Sequence, residues 1–164
     1  MQLALLDFTC LKLVELGHEV YGIDNINNYY NPELKFKRLN ELGFKEPKSI
    51  LFNKEVQSDK YKSLRFSRVD LVDDKTINSI FKGEQFEVVC NLAAQAGVRY
   101  SIEKPKVYID NNISGFLNIL EGCRNHNVKH LVYASSSSVY GNNKKVPLDR
   151  KSTRLNSSHR CISY

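Results

Sequence analysis

Two short segments hold the side chains best placed for chemistry: Ala93-Ala94-Gln95-Ala96-Gly97-Val98-Arg99-Tyr100-Ser101 and Ala134-Ser135-Ser136-Ser137-Ser138-Val139-Tyr140-Gly141. Each follows an apolar, β-branched run that reads as a buried strand. In open α/β sheets, ligands bind just past the carboxyl ends of parallel strands. A serine hydroxyl there can share a proton with a reacting group. The forked guanidinium of Arg99 suits a diphosphate or a carboxylate, or else an ordinary surface salt bridge. Asp24, after Gly22-Ile23, ends another strand, where a carboxylate can accept a pair of vicinal hydroxyls and repel a further phosphate. A turn residue is the other reading of Asp24. Asp70-Leu71 follows the next strand, with Asp73 and Asp74 close enough that any of the three acids could cap a helix.

The elements that must position these groups alternate along the chain. Leu11 to Leu16 reads as a helix end closed by Gly17, and Glu19 to Ile23 as a strand. Glu33 to Leu42 has helical spacing and stops at Gly43. Residues 44–62, polar and lysine-rich with Pro47, read as a surface excursion. Leu64 to Val69 is the next strand. Asp73 caps a helix through Phe81 that Gly83 ends, and Phe86 to Leu92 is a third strand. Pro105 opens a long helix whose Val107, Ile113, Phe116, Leu117, Leu120 and Cys123 predict one apolar face. His130 to Ala134 is the last strand. Alternation of this kind predicts α/β architecture, with right-handed crossovers placing the strands in one Rossmann-type parallel sheet with helices on both faces.

Composition sets the outer limits. The chain has 164 residues, 41% hydrophobic and 26% charged, ordinary for a globular domain. It has no apolar run of membrane-spanning length and no signal-peptide pattern at its start, so a cytoplasmic location without membrane contact is expected. Cys10, Cys90, Cys123 and Cys161 are too scattered for a zinc site or a disulfide framework, and reduced, mostly buried thiols are expected, with no metal. Half of the net charge of +6 lies in residues 149–164, and the rest forms no basic face, which argues against a nucleic-acid partner. That tail, from Asp149-Arg150-Lys151 onward, has no apolar periodicity. It resembles a translated oligonucleotide adapter and is set aside from the fold.

The segments quoted above resemble the extended short-chain dehydrogenase/reductase family, specifically its NAD-dependent epimerases and dehydratases of nucleotide-sugars. The run Gln95 to Ser101 resembles the UDP-glucuronate 4-epimerase group, and Ser135 to Gly141 the family's Ser-Ser-x-x-Val-Tyr-Gly pattern. The likeness implies NAD as cofactor, a UDP-sugar as substrate and a homodimeric parent joined through the helix from Pro105. It implies oxidation of the sugar at C4 to a ketone, then return of hydride to the other face. By that resemblance Ser136 is the catalytic serine. Asp24, Asn25, Asp70, Leu71, Leu92, Ala93, Ala94, Gln95, Asn112 and Ser135 line the cofactor. Gly97, Val98, Arg99, Ser137 and Ser138 contact the substrate. Asn112 is an amide within a predicted helix, and a solvent-facing side chain would also explain it. A 4,6-dehydratase or decarboxylase shares the same cofactor half.

Two family features do not appear in the sequence. Met1 to Cys10 contains no glycine, where the family has Gly-x-x-Gly-x-x-Gly for the pyrophosphate. No Tyr-x-x-x-Lys pair follows the Val139-Tyr140-Gly141 pattern; Tyr140 and Lys144 have that spacing, but by the resemblance Tyr140 is the pattern's own structural tyrosine and not the catalytic one. The expected organisation is therefore an atypical start at 1–10, a partial NAD-binding domain over 11–148 and a non-native tail at 149–164. The first βα turn and the C-terminal substrate domain are missing from it. The chain alone is expected to be inactive and to bind NAD poorly.

Overall fold

A computed structural model of the chain describes residues 2–136. By contact density the chain divides into two compact units, Met1–Val132 and Tyr133–Tyr164. The first opens with helix α1, Gln2–Glu15. The helix ends in a Schellman motif, with the Gly17 amide donating to Val14 O and the His18 amide to Leu13 O, both at 3.0 Å. Gly17 adopts φ +84°, which glycine reaches without strain. Strand β1, Val20–Asp24, and helix α2, Pro32–Glu41, follow.

Residues 44–62 depart from the expected surface excursion. They contain a 3₁₀ turn at Pro47–Ser49 and strand β2 at Glu55–Gln57, and they bury Phe44, Pro47, Ile50 and Ser58. Sparse apolar residues in a polar, lysine-rich stretch leave no periodicity to read, yet Phe44 and Ile50 complete the core under α2. Strand β3, Leu64–Arg68, pairs in parallel with β1 from Val20↔Leu64 to Asp24↔Arg68, and antiparallel with β2.

Helix α3, Asp74–Glu84, is capped by Asp73, whose carboxylate accepts the Thr76 amide at 3.1 Å. It runs through Gly83 and stops at Gln85, which takes the left-handed conformation at φ +50°. Strand β4 is Val88–Asn91. A short helix not foreseen from the sequence, α4 at Val98–Glu103, precedes α5 at Pro105–Tyr108. A π-helical segment, Ile109–Gly115, then leads into α6 at Phe116–Asn125, and strand β5 is His130–Tyr133.

The strands do not form the single parallel sheet expected. They lie in a three-stranded sheet of order β1-β3-β2 and a separate two-stranded sheet of β4 and β5. Periodicity reports that a strand exists and not which edge it pairs with. The first core gathers Cys10, Leu39, Leu42, Phe44, Leu64 and Phe66 beneath α1 and α2. The second gathers Val69, Ile77, Phe81 and Ile119 beneath α3 and α6. Helices thus cover both faces, as an α/β fold requires.

The long helix has a second apolar face rather than the single one expected. Ile119 and Gly122 are buried, whereas Ile113, Leu117 and Leu120 are exposed. Cys90 is exposed too, Cys123 is half-buried and Cys10 alone of the three is buried, contrary to mostly buried thiols. Among the described residues, no helix is long and apolar enough to cross a membrane.

Candidate functional site

A cleft of about 490 Å³ lies between β1 and β4. Its polar end is built from the carboxyl ends of the two strands: Asp24 and Asn25 from one, Leu92, Ala93, Ala94 and Gln95 from the other. Successive Asx turns shape the β1 end, as Asn25 Oδ1 accepts the Asn27 amide at 3.1 Å and Asn27 Oδ1 the Tyr29 amide at 3.3 Å. Asp24 starts the series, its Oδ1 accepting the Ile26 amide at 2.5 Å and the Lys35 ammonium at 2.9 Å. Lys35 and Asp24 are 11% and 18% exposed at their side chains, a partly desolvated ion pair that fixes the carboxylate. Asp24 is therefore a turn residue through Oδ1, and its Oδ2 accepts from no donor among the described residues. Ile26 takes φ +50° as a consequence, a costly conformation for a β-branched residue.

Of the three acids after β3, Asp73 is the cap. It takes the Thr76 hydroxyl at 2.7 Å and the Asn53 side-chain amide at 3.2 Å besides the Thr76 backbone amide. These donors hold its carboxyl below the usual range, the Thr76 hydroxyl contributing most. Asp70 shapes the loop instead: Oδ2 accepts Asn25 Nδ2 at 3.2 Å and Oδ1 the Val72 amide at 3.2 Å. Asn25 and Asp70, 45 residues apart, are thereby joined. Leu71 lines the cleft, and its carbonyl accepts Asn118 Nδ2 at 2.7 Å.

Asn112 closes a reciprocal pair with the β4 loop. Its Oδ1 accepts the Gln95 amide at 2.6 Å and its Nδ2 donates to Gln95 O at 3.0 Å. It sits in the π-helical segment and points inward, which rules out the solvent-facing alternative. Tyr108 Oη donates to Ala96 O at 2.7 Å and also engages Gly97 O. Gly97 takes φ +105°, and a Cβ there would lie 2.4 Å from Tyr29 Oη, so only glycine fits. Val98 and Arg99 open α4 in solvent, Val98 at 83% exposed. Arg99 pairs with no carboxylate among the described residues, so the salt-bridge alternative does not hold there.

Ser135 and Ser136 follow β5, exposed, in the second compact unit. Ser137 and Ser138 lie outside the described residues. The sequence reading missed Lys35, Tyr29, Tyr108 and Asn118. Asn118 carried a usable signal, since it is a further amide within the same predicted helix, six residues beyond Asn112.

Polar loops gathered at the carboxyl ends of strands, with helices on both faces, define the Rossmann-type nucleotide-binding class of α/β proteins. Comparison with known proteins narrows this. The family described as GDP-mannose 4,6 dehydratase matches residues 7–158, and the chain belongs to that family of NAD-dependent epimerases and dehydratases. It is 47% identical over 153 residues to Protein CapI of Staphylococcus aureus, covering 93% of this chain and 40% of that one. It is 39% identical over 128 residues to UDP-glucuronate 4-epimerase of Thermodesulfobacterium geofontis, covering 78% of this chain and 35% of that one.

Among solved structures, UDP-glucose 4-epimerase of Thermotoga maritima with UDP-glucose superposes with a TM-score of 0.62 at 26% identity, over 85% of this chain and 37% of that one. A mutant UDP-glucuronic acid 4-epimerase of Bacillus cereus, in complex with a fluorinated UDP-glucuronic acid and NAD, shares the fold at a TM-score of 0.64 and 24% identity. It is matched over 85% of this chain and 39% of that one. The chain thus spans about 27–40% of the length of these and the other UDP-glucuronate 4-epimerases it matches.

Proposed function

We propose that this chain is the nucleotide-binding portion of an NAD-dependent 4-epimerase acting on UDP-glucuronate. The observation that carries the proposal is identity of 39–42% over 128–138 residues to five proteins named UDP-glucuronate 4-epimerase. NAD, when bound, supplies the hydride acceptor and donor for the sugar carbon. The adenosine end of such a ligand suits the described residues: Asp24 Oδ2 for ribose hydroxyls, and Asp70 with the Leu71 backbone for the adenine edge. The diphosphate is less well served, because residues 2–15 form a helix without glycine and present no loop of amides.

Ala93 and Ala94 let the β4 loop approach a flat ring, and Asn112 holds that loop through Gln95. Gly97, Val98 and Arg99 face the substrate, with the guanidinium of Arg99, which pairs with no carboxylate among the described residues, suited to a diphosphate or hexuronate carboxylate. Ser136 shares the proton of the sugar hydroxyl as that carbon is oxidised, and Ser135, Ser137 and Ser138 contact cofactor and sugar beside it. The exposed stripe of Ile113, Leu117 and Leu120 is the face a second copy would cover, in a soluble cytoplasmic dimer.

The test is a transplant. Residues 11–148 replace the matching segment of the Thermodesulfobacterium enzyme, and the product from UDP-glucuronate is identified. Retained 4-epimerisation is expected, and Ser136→Ala in the same chimera should slow turnover about 100-fold. A folded chimera that makes no epimer overturns the reading. A 4-keto-6-deoxy product from a UDP-hexose would favour the dehydratase reading that the family description suggests.

A further inference from the structure

The tip of the 44–62 excursion lies against the loops proposed above for adenosine. Phe52 forms a parallel bridge with Arg68, the Asn53 amide donates to Arg68 O at 2.9 Å, and Asn53 Nδ2 donates to Asp73 Oδ2 at 3.2 Å. These bonds seat the tip on the last residue of β3 and on the cap of α3. β1 and β3 stay paired as far as Asp24 and Arg68, and the Val69 amide still donates to Asp24 O at 3.1 Å. From there the two chains part, one into the Asn25 loop and the other into Asp70-Leu71.

Side chains link the two loops beyond that point. The Arg68 guanidinium lies over the Phe52 ring, 4.2 Å from its centroid, and its Nε donates to Asn25 O at 3.2 Å. Asn25 Nδ2 in turn donates to Asp70 Oδ2 at 3.2 Å, while the Val72 amide donates to Asp70 Oδ1 at 3.2 Å. Asn25 is thus held at its carbonyl, at Nδ2 and, by the Asn27 amide, at Oδ1. Each Asp70 oxygen keeps a second lone pair with which to accept from a ligand. Arg68 pairs with no carboxylate among the described residues, and Lys35 is the cation that neutralises Asp24. A planar guanidinium can stack on a ring and still donate an N–H in its own plane, which suits Arg68 and not a lysine to this place.

We propose that Arg68, supported by Phe52 of the excursion, is a positioning residue for recognition of adenine. It acts through Asn25, fixing the Asp70 carboxylate where it accepts the exocyclic amino group of the base. The excursion thereby sets selectivity for the base, while Asp24 takes the ribose whatever the base is. The inference rests on the adenosine assignment made above and adds to it the residues that make the site selective for adenine over other purines.

The test compares adenosine with inosine, which carries a carbonyl where adenine has its amino group, by ligand-observed NMR titration of the full chain. Neither nucleoside calls on the diphosphate site. The wild-type chain should prefer adenosine by about tenfold or more, the scale of one hydrogen bond to a charged acceptor. Arg68→Leu should abolish that preference and leave the affinity for inosine unchanged, whereas loss of a merely structural residue would weaken both nucleosides alike. Phe52→Ala alters a side chain that is 51% exposed, so the core stays intact, and it should lose part of the same preference. That variant carries the test if Arg68→Leu does not fold. Preference retained in folded Arg68→Leu, or in Phe52→Ala where it alone folds, overturns the inference and leaves the adenosine assignment standing. Parallel weakening of both nucleosides also overturns it. A wild-type chain that binds the two equally, or binds neither, overturns the adenosine assignment and this inference with it.

Discussion

Replacing Asn112 by alanine removes two hydrogen bonds at once, the Gln95 amide to Oδ1 at 2.6 Å and Nδ2 to Gln95 O at 3.0 Å. Gln95 is only 7% exposed, so water replaces these partners poorly. At about 1 kcal/mol for each bond the loss is ~2 kcal/mol. Alanine returns about 0.6 kcal/mol through its better helix propensity, which leaves a destabilisation of ~1.5 kcal/mol, or roughly tenfold in the unfolding constant. Urea titration of the chain measures that difference, and hydrogen exchange at the Gln95 amide tells whether the loss is local. Asn112→Asp separates the two bonds: it keeps the acceptor for the Gln95 amide but sets a carboxylate against Gln95 O. It should be at least as destabilised at pH 7 and recover as acid protonates the carboxyl and restores a donor. A change below about 0.5 kcal/mol with Gln95 exchange unaltered would refute this account.

Asp73→Ala should cost about 1 kcal/mol at neutral pH through the lost cap of α3. Because the folded carboxyl lies below its ordinary value of 3.8, that contribution is present at neutral pH and fades as the pH falls through the folded pKa. Unfolding curves of the two proteins should therefore converge in acid, and a gap independent of pH would contradict the cap. Two glycine replacements should have opposite signs. At Gly83 a Cβ meets nothing within 4 Å, and Gly83→Ala should stabilise the chain by about 0.5–1 kcal/mol in a thermal melt. At Gly122 it would lie 2.8 Å from the buried Phe81 ring, and Gly122→Ala should cost about 1–3 kcal/mol in the same assay.

Local features were the legible ones. β1, β3 and α2, and the Asp73 cap, are written in short-range spacing and turn chemistry; Asp24 and Asp70 stood out by their position at strand ends, whereas Asn25 came only from the family resemblance. Pairing between edges is long-range, so nothing in the periodicity of Val88–Asn91 said that it would lie apart from Val20–Asp24. The π-helical segment depends on Asn112 reaching Gln95, a contact 17 residues away in sequence, and Gly97 depends on Tyr29, 68 positions earlier. The few apolar residues scattered through 44–62 could not announce β2, because three residues with one partly buried side chain carry no pattern.

The helix from Ile109 to Asn125 grips two separate loops. Asn112 holds the loop at Gln95, and Asn118 holds the loop at Leu71, where Gly115 also packs so closely that a Cβ would come within 2.9 Å of Leu71 Cβ. The widened turns between the two amides act as a phase setting. Each residue advances a regular helix by about 100°, so deleting one of residues 113–115 would rotate Asn118 away from Leu71 while Asn112 kept its hold. Evolution of either loop is therefore tied to the other through the pitch of one helix, and a length change there decouples them in a single step.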